Sequence, residues 1–279
     1  MSFPILLNSE QYVSNNTYEI DLANTTDLSN FQVSVANLYV YYSWFNINDT
    51  SLKNNIFQLR IPNASGSTLY TLTIPNGAYN ITDLNNFLQF WFIENNIYLV
   101  NSITGLNTYY AALVVNPTTY KIDLITSVVP QSLPAGFTNP GLSFASLANQ
   151  HIQMTIMSTN SFGALLGFSN GSYPSSSTNV GVKTSSSNLI PNLSPISMIK
   201  LYLSCVYNPL SANSTLLHTF SSQGASIGTL IDASPNEAQW TPCIGFHKTL
   251  RVQLFDQLGR VLDLLDKNIL IKLMFKKII

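Results

Sequence analysis

Three features of the amino-acid sequence predict an all-β fold. Short runs of alternating apolar and polar residues recur along most of the chain, Gly, Pro, Asn and Ser separate them, and only one long stretch has helical spacing. Alternation at every second residue marks a strand that buries one face. Many short strands with turn signals between them point to a sandwich or barrel. Of the 279 residues 46% are hydrophobic, enough for a packed core, but only 9% are charged, against a usual value of about 25%. Ser, Thr and 31 Asn carry the polar share instead.

The strands can be placed in order. Stretches 17–23, 36–44, 55–61, 68–74 and 107–115 read as strands. Phe31, Val33 and Val35 alternate with polar or small residues, as do Tyr120, Ile122 and Leu124, and Ile152, Met154 and Ile156. Ile199, Leu201, Leu203, Cys205 and Tyr207 form a long one-faced strand. Leu250, Val252 and Leu254 form another, and Ile269, Ile271, Leu273 and Phe275 a last one, with Lys272 on its opposite face. The one long helix comes from Leu84, Phe87, Leu88 and Trp91, spaced i, i+3, i+4, i+7. Thr82 or Asp83 is a suitable N-cap, and the stripe reads as core packing. A shorter helical turn is expected after Ser161, through Gly163–Leu166. Two stretches look like excursions: 126–150, with three prolines and no charge, and 169–195, rich in Ser, Asn and Gly. Long loops of this kind are functional or mobile.

Composition excludes several classes. A formal net charge of −1 with this much apolar residue is not a disordered polyelectrolyte, and it gives no overall basic field for general nucleic-acid binding. Coiled coils and bundles need abundant Ala, Glu, Lys and Leu at regular spacing. The opening MSFPILLNSE has neither the basic region nor the apolar length of a signal peptide, and no apolar run is long enough to span a membrane. Asn-x-Ser/Thr sequons, at Asn15, Asn48 and Asn80 among others, arise readily in a chain this rich in these residues. The two cysteines, Cys205 and Cys243, make neither a disulfide framework nor a zinc site. A buried free thiol is expected for Cys205, with assembly in a reducing compartment.

Charge is unevenly distributed. Residues 1–123 hold 8 acids and 3 bases, residues 248–279 hold 7 bases and 3 acids, and there is no charge between Asp123 and Lys183. A surface that long without charge has little protection against association. Partner subunits would cover it; the alternative is a solvated loop region rich in Ser, Thr and Asn. The basic C-terminal stretch suits either an anionic partner or a solvated strand face.

The chemical motifs are weak. G-x-S-x-G occurs at Gly167–Gly171 and at Gly224–Gly228, but the nucleophile of a hydrolase needs a strand-to-helix elbow in a parallel sheet. His151, His218 and His247 lack any local ligand pairing. His247, just before a strand, reads as a surface or capping residue, and Asp256 and Asp263 flank a Gly-containing turn, where a carboxylate ordinarily shapes the turn. No catalytic, cofactor-binding or metal-ligating residue is expected, and no cofactor.

Five segments in order carry a resemblance: Tyr41–Ile47, Thr73–Asn85, Phe162–Phe168, the strand Leu201–Cys205, and Leu250–Arg260 followed by the lysine-rich final strand. Together, over about positions 31–279, they resemble the penton (minor capsid) proteins of virophages, Polinton-like elements and related large eukaryotic double-stranded DNA viruses. The resemblance implies a single jelly roll of two four-stranded antiparallel sheets, with long loops or a small insertion and one short amphipathic helix. It implies one domain over 1–279, with projecting or interface excursions near 95–150 and 169–195. The function implied is structural, not enzymatic: a homopentamer at the icosahedral vertices of the virion. Its neighbours would be a double-jelly-roll major capsid protein and other minor capsid proteins, with no specific nucleic acid and no transmembrane segment. Interface candidates are the Tyr41–Trp44 segment, equally suited to a core, and 126–150. A carbohydrate-binding jelly roll such as a fibre head is the alternative, since the same fold serves lectins and capsids, and a cement protein between capsomers is a third reading.

Overall fold

The structure is a computed structural model that describes residues 2–222 and 224–278. Strands dominate it, with two α-helices among the described residues. In chain order come β1 (Ser2–Leu7), β2 (Tyr12–Ser14), β3 (Thr17–Asp27) and β4 (Phe31–Tyr41). Then follow β5 (Ile56–Asn63), β6 (Gly66–Thr73), α1 (Ile81–Glu94), β7 (Leu99–Asn101), β8 (Asn107–Thr108), β9 (Ala111–Val115), β10 (Ile122–Thr126) and β11 (Phe137–Thr138). Next are β12 (Gln153–Ile156), α2 (Phe162–Leu166), β13 (Gly171–Tyr173) and β14 (Lys183–Ser186). The chain closes with β15 (Ile199–Leu203), β16 (Leu216–Phe220), β17 (Leu230–Asp232), β18 (Thr241–Pro242), β19 (Phe246–Asp256) and β20 (Ile269–Lys277).

These elements divide into two compact units, Met1–Phe45 with Ile196–Ile279, and Asn46–Pro195. The sequence predicts one domain with loop excursions or a small insertion. What lies between β4 and β15 is instead more than half of the chain, with a hydrophobic core of its own. Apart from β5 and β6 its strands have five residues or fewer, and its core residues lie far apart in sequence, so local periodicity could not separate it from the rest.

The first unit is a two-sheet antiparallel sandwich. One sheet runs β1-β20-β4-β17, with β18 also on β4, and the other runs β16-β15-β19-β3-β2. Its eight principal strands, counted along the chain and leaving out β2 and β18, are ordered first-eighth-third-sixth in one sheet and second-seventh-fourth-fifth in the other. Alternation fills the space between the sheets: Leu201, Leu203, Leu250, Val252, Leu254, Ile271 and Leu273 are fully buried. In β4 the parity changes, from Val33 and Val35 to Leu38 and Val40. A register shift makes this possible: Leu273 faces Val35 and Lys272 faces Asn37, so Ala36 is the extra residue. Such a bulge keeps both apolar sets turned inward where an unbroken strand would expose one of them. The turn before β3 follows from Asn15-Asn16, both at positive φ between the paired Ser14 and Thr17, as a two-residue hairpin loop requires.

The second unit contains a four-stranded sheet, β13-β12-β5-β6, and two three-stranded sheets, β14-β10-β9 and β11-β7-β8. Helix α1 buries Ile81, Leu84, Leu88 and Phe92, while Phe87 and Trp91 are partly buried at the flanks of that stripe. Its N-cap is Asn80, not Thr82 or Asp83: Asp83 N–H donates to Asn80 Oδ1 at 3.0 Å and Asn80 N–H donates to Asp83 Oδ2 at 2.9 Å. Asp83 therefore sits three residues into a capping box. The short α2 lies where the sequence predicts a helical turn and ends at Gly167, in the left-handed region with φ 80°. A Cβ there would lie 2.2 Å from the Leu189 carbonyl oxygen, so only glycine fits.

Buried amides close this unit. Asn46 Nδ2 donates to Tyr79 O at 2.8 Å and Leu193 O at 2.9 Å, and its Oδ1 accepts from Tyr79 N–H at 2.9 Å. Asn54 Nδ2 donates to Asn46 O at 2.8 Å, and Asn54 Oδ1 accepts from Asn48 N–H at 2.9 Å. Asn48 Oδ1 in turn accepts from Thr50 N–H, Thr50 Oγ1 and Ser51 N–H. One side chain thus ties the first residue of the unit to the segment just before α1 and to its last residues.

Two predictions follow from these contacts. Asn80→Ala removes an exposed cap and should cost about 1 kcal/mol. Asn46→Ala leaves three part-buried backbone groups without partners, at up to about 1–3 kcal/mol for each group, so its loss in denaturant unfolding should be the larger. The second concerns His218 on β16, half-buried with Nε2 donating to Ala233 O at 3.1 Å. Burial holds its pKa below the ordinary imidazole value. The unfolded chain takes up that proton near pH 6.5 and the folded chain only at lower pH. This contribution is therefore full above about pH 6.5 and lost as the pH falls below it. Thermal midpoints should fall more for the wild type than for His218→Gln on going from neutral pH to about pH 5.5.

Candidate functional site

The first unit carries an apolar hollow of about 250 Å³. Alternation along the edge strand β1 turns Phe3 and Ile5 towards it; Phe31 comes from β4, Phe275 from β20, Leu22 and Thr26 from β3, and Leu250 from β19, with Leu28 between β3 and β4. The Thr26 hydroxyl is the one polar side-chain group in that lining. Phe3 remains 47% exposed, so a large aromatic surface meets solvent. Among the described residues β1 pairs with β20 alone, and the backbone groups of its outer edge have no ladder partner there. Such an edge is a template for another chain. Pro4, which lacks an N–H, is tolerated there because the position is at an edge, and Leu6 is 51% exposed beside it.

The second unit carries a polar hollow of about 570 Å³ on the outer face of its four-stranded sheet. Arg60 of β5, Gln153 of β12 and Ser172 of β13 share that face, and Ser175, Ser176 and Ser177 form a wall. Gln153 Nε2 donates to Pro174 O at 2.8 Å. His151 is fully buried behind the hollow. Its Nε2 faces Asn179 O at 3.0 Å and so carries a proton, and Nδ1 lies 3.0 Å from Thr126 Oγ1. Arg60 Nη1 reaches Ser67 Oγ at 3.4 Å, and its guanidinium is in none of the ion pairs of the described residues.

The sequence-predicted residues fall as follows. Tyr42 and Trp44 are buried in the first core, their rings 4.3 Å apart, so of the two readings of Tyr41–Trp44 these side chains take the core. Within 126–150, Val129, Leu142 and Ala145 are buried in the second core, whereas Leu133 and Leu147 are exposed. Ser169 follows α2 and leads into β13, and Ser226 lies in an exposed turn where Thr229 N–H donates to its carbonyl. Neither occupies a strand-to-helix elbow. His247 Nε2 donates to Ile244 O at 2.8 Å. Asp256 is a turn-former: it accepts from Leu258 N–H and Arg260 N–H, and pairs with Arg260 Nε at 2.6 Å. Asp263 is exposed, 4.0 Å from Lys267. Strand β15 ends at Leu203, short of Cys205 and Tyr207. Lys272, Lys276 and Lys277 are exposed on β20, and Lys276 lies 5.7 Å from the centre of the Trp240 ring.

The sequence places Phe31, Leu250 and Phe275 on strand faces but points to neither hollow. Phe3-Pro4-Ile5 is too short a run to register as a strand, although its alternation with Leu7 was a signal. Arg60 and Ser172–Ser177 lie far apart in sequence and meet only through the pairing of β12 with β5 and β13.

Among the described residues no group of three or more His, Cys, Asp or Glu side chains could hold a metal ion, and no helix is long and apolar enough to cross a membrane. No family model matches the sequence, and no curated protein matches it. Among solved structures, the chain is similar to the crystal structure of the mavirus penton protein. The similarity covers 99% of this chain and 98% of that one, at 13% sequence identity and a TM-score of 0.48.

Proposed function

We propose that this chain is a structural capsid protein whose first unit is a jelly roll, and that five copies close head to tail as the vertex of an icosahedral double-stranded DNA virus. The observation that carries the proposal is the strand order of the first unit. First-eighth-third-sixth against second-seventh-fourth-fifth is the order that two nested Greek keys produce in a jelly roll. Fold alone does not choose a function; what favours assembly is the surface that goes with it. A ring joins one surface of a subunit to a different surface of the next. The Phe3 edge and hollow offer one such surface, and exposed Leu258, in the connection leading to the opposite end of β20, offers another. The driving force is burial of apolar surface, and a stable contact should cover at least about 1,000 Å² in total.

In this reading the chain turns over no substrate. Its partners are further copies of itself, a neighbouring double-jelly-roll major capsid protein and other minor capsid proteins, and its place is the virion. Arg251 pairs with Glu19 within the chain; the other exposed acids of the N-terminal stretch and bases of the C-terminal stretch would complement each other between neighbours. Light scattering on the purified chain at two salt concentrations should give the mass of five subunits, less fully populated at high salt, where exposed charges are screened. Phe3→Asp should shift that mass to the monomer with little change in the thermal midpoint. A trimer, or a strict monomer at both salt concentrations, counts against the ring.

A second reading, a carbohydrate-binding attachment protein, is favoured by the Arg60 hollow. A guanidinium fork outside the ion pairs of the described residues suits a carboxylate, and the clustered serine hydroxyls and the amide of Gln150, which also lines the hollow, suit a polyol. An acidic sugar has both. Saturation-transfer NMR with sialyllactose, and lactose as the neutral control, tests it. Transfer to sialyllactose alone, lost in Arg60→Ala, is the expected pattern; equal transfer to lactose or retention in the variant rules this reading out.

A further inference from the structure

We propose that Cys205 and Cys243 are a covalent modification site, and that they form an intrachain disulfide when the chain meets a small-molecule disulfide such as oxidised glutathione. The two sulfurs lie 3.8 Å apart, and both side chains are buried. They are the only cysteines of the chain, so no other pairing competes within one molecule.

The backbone already holds the two residues side by side. Cys205 follows β15, and Cys243 sits between β18 and β19. Ile244 N–H donates to Cys205 O at 2.9 Å, Tyr207 N–H donates to Pro242 O at 2.9 Å, and Cys243 N–H donates to Phe31 O at 2.8 Å. Val206 and Cys243 form an antiparallel bridge. Cys205 is thus the chain neighbour of the residue that bridges Cys243, and its sulfur is already in contact with that of Cys243 at 3.8 Å, against about 2.05 Å in the bond.

The chemistry balances as a two-step exchange. One cysteine thiolate attacks a sulfur of oxidised glutathione, forming a mixed disulfide and releasing one glutathione thiolate. The second cysteine, deprotonated, attacks the protein sulfur of that mixed disulfide, and a second glutathione thiolate leaves. Two cysteine thiols are oxidised with loss of two hydrogens, and one oxidised glutathione is reduced to two thiols. Contact with the Cys243 thiol and burial push the Cys205 thiol well above its ordinary pKa. The thiolate is scarce in the closed structure, so exchange goes through local opening and is slow in the folded chain.

The bond would join residues 38 apart and close a loop that contains β16, β17 and β18. Closing such a loop restricts the unfolded chain and stabilises the folded one. A reducing compartment keeps the pair as thiols and an oxidising medium links it. The inference rests on sulfur geometry alone and stands whether or not the vertex reading holds.

The test uses the full chain, purified under reductant. One portion is held folded with oxidised glutathione, and another is refolded from denaturant in a glutathione redox buffer. Both are denatured, treated with iodoacetamide and read by intact mass and peptide mapping. In at least one arm the wild type should be lighter than the reduced chain by two hydrogens, carry no alkyl group and give one cross-linked peptide pair holding Cys205 and Cys243. Cys243→Ser should yield a glutathione adduct or an alkylated Cys205. Alkylation of both cysteines in both arms, glutathione adducts without the link, or cross-links only between chains would overturn the proposal.

Discussion

The second unit depends on one buried amide. Asn46 is the first residue of that unit, and its side chain donates to the carbonyls of Tyr79 and Leu193 while accepting from the Tyr79 backbone. An inserted unit must have its entry and exit held together, or its own core strains the chain on either side. An apolar contact could bring the segments close but would leave their backbone groups dry and unpaired, at about 1–3 kcal/mol each. A carboxylate could accept there but not donate. Asparagine does both in a neutral group, and Asn48 and Asn54 extend the same solution along the next turns.

This helps explain the composition. A chain with 31 Asn and few charged residues satisfies its turns through amides. Asn8 and Asn80 cap helical turns. Asn101, Asn116 and Asn139 each accept from two backbone N–H groups in their own loops. Neutral groups can be buried without the large desolvation cost of ions. The consequence outside is a surface with little charge to discourage association.

The sandwich obeys a different constraint, parity. Side chains must alternate in and out without error over the long strands, and the Ala36 bulge in β4 is where this sequence corrects its own phase. The same constraint creates the apolar hollow. Strand β1 obeys the alternation, turning Phe3, Ile5 and Leu7 to one side, but it is the edge of the sheet, with no further strand paired to it among the described residues, and Phe3 remains half open. The hollow is the place where a correctly phased strand lacks a second strand beside it among the described residues.

Local pattern was enough for the elements themselves. Period-two alternation marked most of the strands of the sandwich, and the spacing of Leu84 and Leu88 marked α1, because those signals lie within a few residues of one another. The cap of α1 was missed by two or three positions because Asn80 and Asp83 are both competent caps and only the reciprocal bonds decide which position each holds. The division into two units, the fate of Tyr42 and Trp44, the contact of Cys205 with Cys243 and the joining of Arg60 to Ser172–Ser177 were decided by tertiary structure alone. Each depends on which strand pairs with which, over separations of tens to hundreds of residues. Side-chain periodicity determines which face of a strand is buried; it carries no information about the partner that buries it.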